Sequence, residues 1–227
     1  MPIGIPKVAY SRFPEDKPTW IGIYERLYKE RALFLCKEIK NSFANRFISL
    51  LLQLDSETDI YDDTDDDDIS IYINSPGGGA EAAISIYDTM RYIVPDVSTI
   101  NLGLAASAAS FILAGGTITK RLALPNAKVM IHQPSCAAIP SPSSAPIKDM
   151  TIFKKKIPGD KNVLCLKMKT QNMLELRNTI ADIYAENTGK PVDVIQKDLE
   201  RDYFMSATEA QDYGIIDRII KSKKENE

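Results

Sequence analysis

The chain has 227 residues, 44% of them hydrophobic and 26% charged, enough for one large α/β domain with a substantial core. Its formal net charge of −3 carries no nucleic-acid footprint, and no apolar run approaches the ~20 residues that a membrane helix needs. The three cysteines, Cys36, Cys136 and Cys165, are too scattered for a disulfide framework and lack the spacing of a zinc site, so a reducing compartment is expected.

Residues 1–18 contain four prolines and no periodicity, and they read as an extended arm without the apolar core of a signal peptide. From Trp20 the pattern becomes helical, with Ile23, Leu27 and Tyr28 on one face, and Ala32 to Cys36 then reads as a buried strand. A second helix follows, striped by Phe43, Phe47, Ile48, Leu51, Leu52 and Leu54. Residues 56–68 read as an inserted loop, because Asp62, Asp63 and Asp65 to Asp68 repel one another and offer nothing to a core. Six carboxylates could bind Ca²⁺ or Mg²⁺, but the run lacks the alternating ligands and the glycine of an EF-hand loop, and no metal is expected.

"ISIYIN" (69–74) is a strand by alternation, broken by "SPGGG". A helix from Ala80, a strand in "DVSTINLGL", a helix in "ASAASFILAGG" and two short strands around Pro125-Asn126 come next. This alternation implies a parallel sheet with helices packed on it. Five of the thirteen prolines fall between 134 and 160, which reads as a second inserted loop. A long amphipathic helix spans about 164–188, Gly189 stops it, and Pro191 starts a shorter one.

The run Ala105 to Ser110 holds only Ala and Ser. Such small residues permit close backbone approach, and both "SPGGG" and "GLAASAAS" follow strands, at the end where open α/β sheets keep their ligand crevices. Ser107 sits at a helix start, where free N–H groups can stabilise an oxyanion, but its hydroxyl needs a base. His132, the one histidine, ends the strand "KVMIH" and so reaches the same edge. The acid that would orient it is not identified by spacing among 31 candidates. Ser110, one turn beyond Ser107, reads as a packing residue.

"YINSPGG", "SIYDTM", "GLAASAASF", "KRLALPNAKVMIHQP" and "ERDYFMSATEAQDYGIIDRI" together resemble the Clp protease proteolytic subunit, and "MPIGIPKV" and "LYKERALFL" resemble the form encoded in chloroplast genomes. The resemblance implies a Clp-protease/crotonase-like α/β fold of stacked strand–helix units with a protruding handle helix, about 164–188. It implies one peptidase domain over 19–220 and a charged tail over 221–227. It places the nucleophile on Ser107, the general base on His132 and the orienting acid on Asp202. Backbone N–H groups of Gly78 and Ala108 would form the oxyanion hole, with Ala108 standing where the family usually has methionine. Tyr72, Tyr92, Leu122 and Ile220 match the family's chaperone-docking surface, while Ser70 stands where an aromatic is usual.

Implied partners are other proteolytic subunits in heptameric rings stacked as a tetradecamer, an AAA+ unfoldase and unfolded polypeptide, in the chloroplast stroma. No cofactor is expected in the chain, since ATP belongs to the unfoldase and no P-loop is visible. His132 and Asp202 are 70 positions apart (202 − 132), longer than the family usually shows. From this rewritten interval Asp202 is expected to sit away from His132 in an isolated subunit. Leu164, Met168, Met173, Leu174 and Ile180 are expected to form an inter-ring stripe. The alternatives are an inactive structural ring subunit and a crotonase-type acyl-CoA enzyme.

Overall fold

The computed structural model describes residues 4–11, 17–61, 68–134 and 160–220. Residues 62–67, nearly all of the Pro/Ser insertion and the tail 221–227 lie outside the described residues.

The expected arm is not a free one. Strand β1 (Lys7–Tyr10) pairs antiparallel with β2 (Thr19–Gly22), so the boundary expected at residue 18 falls inside a hairpin. Lys29 and Arg26, on helix α1 (Ile23–Lys29), lie 4.6 and 5.4 Å from the centre of the Tyr10 ring, a cation–π contact that holds the hairpin on the domain.

Strand β3 (Ala32–Leu35) follows, then α2 (Asn41–Tyr61). The helix runs through 56–61, so the inserted loop expected over 56–68 begins later than its acidic composition implies. Nothing in that stretch breaks a helix, and Gln53 donates to Glu57 one turn on, at 3.1 Å. Phe47, Leu51 and Leu54 are buried as expected, while Leu52 is exposed on the opposite face.

The main sheet is built on β4 (Ile69–Ser75) and β5 (Val97–Ala106), joined by α3 (Ala80–Tyr92). Helix α4 (Ala108–Ala114) leads to β6 (Arg121–Ala123) and β7 (Lys128–Ile131). Long helix α5 (Asp160–Thr188) starts four residues earlier than expected. Then come α6 (Val192–Asp198), β8 (Tyr203–Ser206), α7 (Ala207–Tyr213) and β9 (Arg218–Ile219). Strands β8 and β9 have four and two residues and α7 has seven, too few for a clear period in the sequence.

Strands run in the order β3-β4-β5-β6-β9, all parallel. The expected parallel α/β sheet is therefore present. On its edge away from β4, long β5 serves two partners: Thr99 to Asn101 pair with β6, and Leu104 to Ala106 pair with β7. The sheet thus forks at the C-terminal half of β5. Strand β8 then pairs antiparallel with β7.

The core lies on one face, where Ile69, Ile71 and Ile73 of β4 meet Leu51 and Leu54 of α2 and Ile86 of α3 in one cluster. Ile180, Ala181 and Tyr184 join that cluster, so the C-terminal half of α5 is anchored in the domain. Ile180 is therefore a core residue, not part of an exposed inter-ring stripe. Met173 and Leu174 are half-buried, and the side chains of Leu164 and Met168 lie outside the described residues.

Candidate active site

Two strand registers bring the site together. Ala106 pairs with Met130 across β5–β7, so Ser107 and His132 emerge from neighbouring parallel strands at the same edge. On the other side of β7, Ile131 pairs with Tyr203, and the next pair in that antiparallel register is His132 with Asp202. The separation of 70 residues is closed by one ladder.

His132 Nε2 lies 2.7 Å from Ser107 Oγ, and His132 Nδ1 lies 3.0 Å from Asp202 Oδ1. The carboxylate can only accept, so Nδ1 carries the proton and Nε2 is left to accept from the serine hydroxyl. Asp202 is thus within reach in the single chain, contrary to the expectation that it would approach only on assembly. The ladder needs no contact from the rewritten interval. The His132 and Asp202 side chains are 27% and 64% exposed, so the acid is the wet end of the set.

Ser107 has φ 55° and ψ −121°, a region that residues with a side chain rarely occupy. The chain passes here from strand to helix in one residue, a sharp elbow that the sequence did not advertise with a G-x-S-x-G motif. The strain is held at both ends of the residue. Ser107 N–H donates to the Met130 carbonyl at 2.8 Å, and the Ser107 carbonyl accepts from the N–H groups of Ser110 and Phe111 at 3.0 and 3.2 Å. The Ser107 side chain makes no capping bond to its own helix, leaving the hydroxyl for His132.

The small residues have a steric cause. Gly77 has φ +93°, and a Cβ there would come within 2.9 Å of Ser107 Cβ and 2.4 Å of the Ala106 carbonyl. A Cβ on Gly78 would fall 2.3 Å from the Ile39 carbonyl, where Ile39 and Gly78 form a parallel bridge. The glycine loop is therefore pressed between β3's continuation and the elbow. Ile39 N–H donates to Gly77 and Gly79 N–H donates to Ile39, so the bridge uses the groups on either side of Gly78. No acceptor among the described residues takes the N–H of Gly78 or of Ala108, the first residue of α4.

A cleft of about 90 Å³ opens beside Ser107 and His132, with an apolar wall of Ala80, Ala83, Phe111 and Ile180. Gly78 and Ala108 also line it.

Ser110 is packed inside as expected, and its hydroxyl is also fully engaged in hydrogen bonds. It is fully buried, and its hydroxyl lies 2.6 Å from the Ser107 carbonyl, 2.8 Å from the Met130 carbonyl and 2.9 Å from the Tyr184 phenol. Burial pushes the Tyr184 phenol well above its ordinary range. Sequence reasoning missed Tyr184, which lies one turn after Ile180 and shows only core periodicity.

Of the four residues matched to a docking surface, the structure groups two in one row. Phe34, Tyr72, Ile100 and Leu122 are register partners across β3, β4, β5 and β6. Ile220 follows β9 and donates its N–H to Ala123 at 2.9 Å. Tyr92 stands at the end of α3, 78% exposed, and no ring contact or hydrogen bond among the described residues ties it to that row. Phe34 and Tyr24 were not anticipated. Phe34 stacks on Tyr72 at 5.3 Å, and Tyr24 meets Phe34 edge-on at 6.0 Å, which supplies aromatic surface that Ser70 does not. Among the described residues no group of three His, Cys, Asp or Glu side chains is placed to hold a metal ion.

The family model for Clp protease matches residues 15–158 and 150–223, two segments that overlap inside the Pro/Ser insertion. The chain is 46% identical over 219 residues to an ATP-dependent Clp protease proteolytic subunit of Vitis vinifera, covering 96% of this chain and 98% of that protein. It is 44% identical to the protein of that name in Adiantum capillus-veneris, with 96% of each chain covered. It is 45% identical to the chloroplastic ATP-dependent Clp protease proteolytic subunit 1 of Arabidopsis thaliana, over 96% of this chain and 98% of that one. With a serine, a histidine and an aspartate in hydrogen-bond sequence beside a cleft, and with matches of this length, the chain belongs to the Clp protease family.

Proposed function

We infer that this chain is a plastid-type Clp protease proteolytic subunit, a serine peptidase in which Ser107 is the nucleophile, His132 the general base and Asp202 its orienting acid. The observation that carries the reading is the 2.7 Å contact from Ser107 Oγ to the unprotonated nitrogen of His132, with Asp202 on the other nitrogen. Ser107 Oγ attacks the substrate's peptide carbonyl as His132 Nε2 takes its proton. Asp202 holds the imidazole in that tautomer and stabilises the imidazolium. His132 then gives the proton to the leaving amine, and a water repeats the sequence on the acyl-enzyme.

The N–H groups of Gly78 and Ala108 receive the oxyanion in this scheme. Both are free of other acceptors among the described residues, and the Gly77 clash distances bring the loop that carries Gly78 against the elbow. Losing one such donor in comparable sites costs on the order of 10²–10³ in kcat. Because the donors are main-chain groups, alanine at 108 serves as well as a larger residue. The apolar cleft wall favours substrates with an apolar side chain beside the scissile bond.

The chain works within a Clp complex. Its arrangement in heptameric rings stacked as a tetradecamer, an AAA+ unfoldase that spends ATP and delivers unfolded polypeptide, and a stromal location complete the proposal. The row Phe34–Tyr72–Leu122 with Ile220 is the surface we assign to unfoldase docking, and Tyr92 is an outlying member. The chain itself takes no cofactor for this chemistry.

Fluorophosphonate labelling of the complex tests the reading. Ser107 should be the modified residue, and Ser107→Ala should abolish both labelling and peptide hydrolysis by this subunit. An unlabelled Ser107 in an active complex would mark the chain as a structural ring member.

A further inference from the structure

Ser110 and Tyr184 form a buried pair of hydroxyls that the proteolytic steps do not use. Proton counting orients them. A carbonyl only accepts, and the Tyr184 phenol has no partner but Ser110 among the described residues. Burial keeps the phenol protonated. Tyr184 therefore donates to Ser110 Oγ, and the Ser110 proton goes to a carbonyl, that of Ser107 being nearer at 2.6 Å than that of Met130 at 2.8 Å.

Neither carbonyl needs this proton for its own satisfaction. Ser107 O already accepts from the N–H groups of Ser110 and Phe111, and Met130 O already accepts from Ser107 N–H. An apolar pair at 110 and 184 would leave no buried carbonyl orphaned. What the hydroxyls add is a junction: α4 and its strained elbow, β7 two residues before His132, and α5 meet on one oxygen.

We propose that Ser110 and Tyr184 are positioning residues for the Ser107–His132 pair, a relay from the long helix α5 that clamps the nucleophile's strained peptide to the strand carrying the base. The inference rests on the reading of Ser107 as nucleophile. The two residues act through the 2.7 Å Oγ···Nε2 contact and touch no substrate with their hydroxyls. Because Tyr184→Phe keeps the ring that lines the cleft, substrate binding should be spared.

The test uses the intact complex carrying Ser110→Ala, Tyr184→Phe or both. Three quantities are measured: kcat and KM on an apolar peptide, the fluorophosphonate labelling rate of Ser107, and Tm. Each single change should lower kcat and the labelling rate about five- to tenfold with KM within about twofold. Ser110→Ala should also lower Tm, since it strands the buried Tyr184 hydroxyl, whereas Tyr184→Phe leaves Ser110 bonded to a carbonyl and should lower Tm less. The double variant discriminates. Removing both partners restores Tm to near the parent value, while kcat stays about tenfold down and no lower than the worse single variant. A double variant with parental kcat, or with kcat recovering in step with Tm, overturns the clamp. Tyr184→Phe is the milder change and decides the matter if Ser110→Ala does not fold. A parent complex that leaves Ser107 unlabelled overturns the reading of the site and the clamp with it, whereas normal labelling with unchanged variant kcat overturns the clamp alone.

Discussion

At the scale of single residues, Asp202 is the sensitive test of how the triad works. Asp202→Asn keeps the shape but lets an amide N–H face His132 Nδ1, which favours the wrong tautomer. In a buried triad that change costs ~10⁴ in kcat. Here the Asp202 side chain is 64% exposed, so water can take over part of its task and the loss should be smaller, about 10²–10³. Measured kcat of the assembled variant checks this, and a loss of less than tenfold would remove Asp202 from the mechanism. Ser107 and His132 were readable from the sequence because each ends a strand-like run, Ser107 among small residues and His132 just before Gln133-Pro134. Asp202 was readable only through the resemblance of "RDYF" to the family, since 31 acids offered no spacing rule. Ser110 and Tyr184 were not readable as a pair at all, because a contact across 74 positions leaves no periodic trace.

At the scale of elements, the loop after β4 is set by sterics that can be tested with one methyl. Gly77→Ala forces a residue with a side chain to φ +93° and drives Cβ to 2.4 Å from the Ala106 carbonyl. Backbone atoms cannot rotate away, so the variant should lose about 1–3 kcal/mol or more and label slowly at Ser107. Gly79→Ala, whose Cβ would meet nothing nearer than 3.6 Å, should keep its Tm within a few degrees. Equal Tm for the two variants would mean that the loop is not wedged against the elbow. The acidic run divides in the same way. Asp68 is tied to Lys120 at 2.6 Å, beside Asp96 at 2.8 Å, and these hydrogen bonds hold the Lys120 ammonium above its ordinary pKa. Replacing residues 62–67 by a Gly/Ser linker should leave Tm nearly unchanged, and extending the change to Asp68 should cost no more than about 1 kcal/mol, because the pair is part-exposed. A Ca²⁺-dependent Tm that vanishes with the linker would instead reveal a structural cation site. The long elements were legible because their stripes repeat, whereas the end of α2 was misplaced because polar residues can prolong a helix as readily as end it.

At the scale of the whole molecule, one buried guanidinium joins parts that the sequence keeps far apart. Arg121, on β6, donates to both carboxylate oxygens of Asp217 just before β9, and also to the carbonyls of Ala114 in α4 and Asn187 in α5. Its side chain is 5% exposed and that of Asp217 is 19% exposed, so little water competes. Burial alone would raise the Asp217 pKa, but the hydrogen bonds and charge of Arg121 outweigh it, and the carboxyl is held below its ordinary value. A depressed folded-state pKa adds stability that is fully present above the unfolded value, near 3.9, and is lost as pH falls through the lower folded value. Arg121→Ala should cost about 3–5 kcal/mol at neutral pH, on the order of 10 °C in Tm, because it leaves the Asp217 carboxylate with main-chain donors but no balancing charge and takes the guanidinium from two carbonyls. Asp217→Asn should also lower Tm at neutral pH, and the gap to the parent should shrink below about pH 4 as the parent's own carboxyl takes up its proton. Thermal unfolding of the assembled protein from pH 7 to pH 3 reads both effects. A gap that stays constant across that range would show that the charge of Asp217 is not what holds α4, α5 and the β6–β9 edge together.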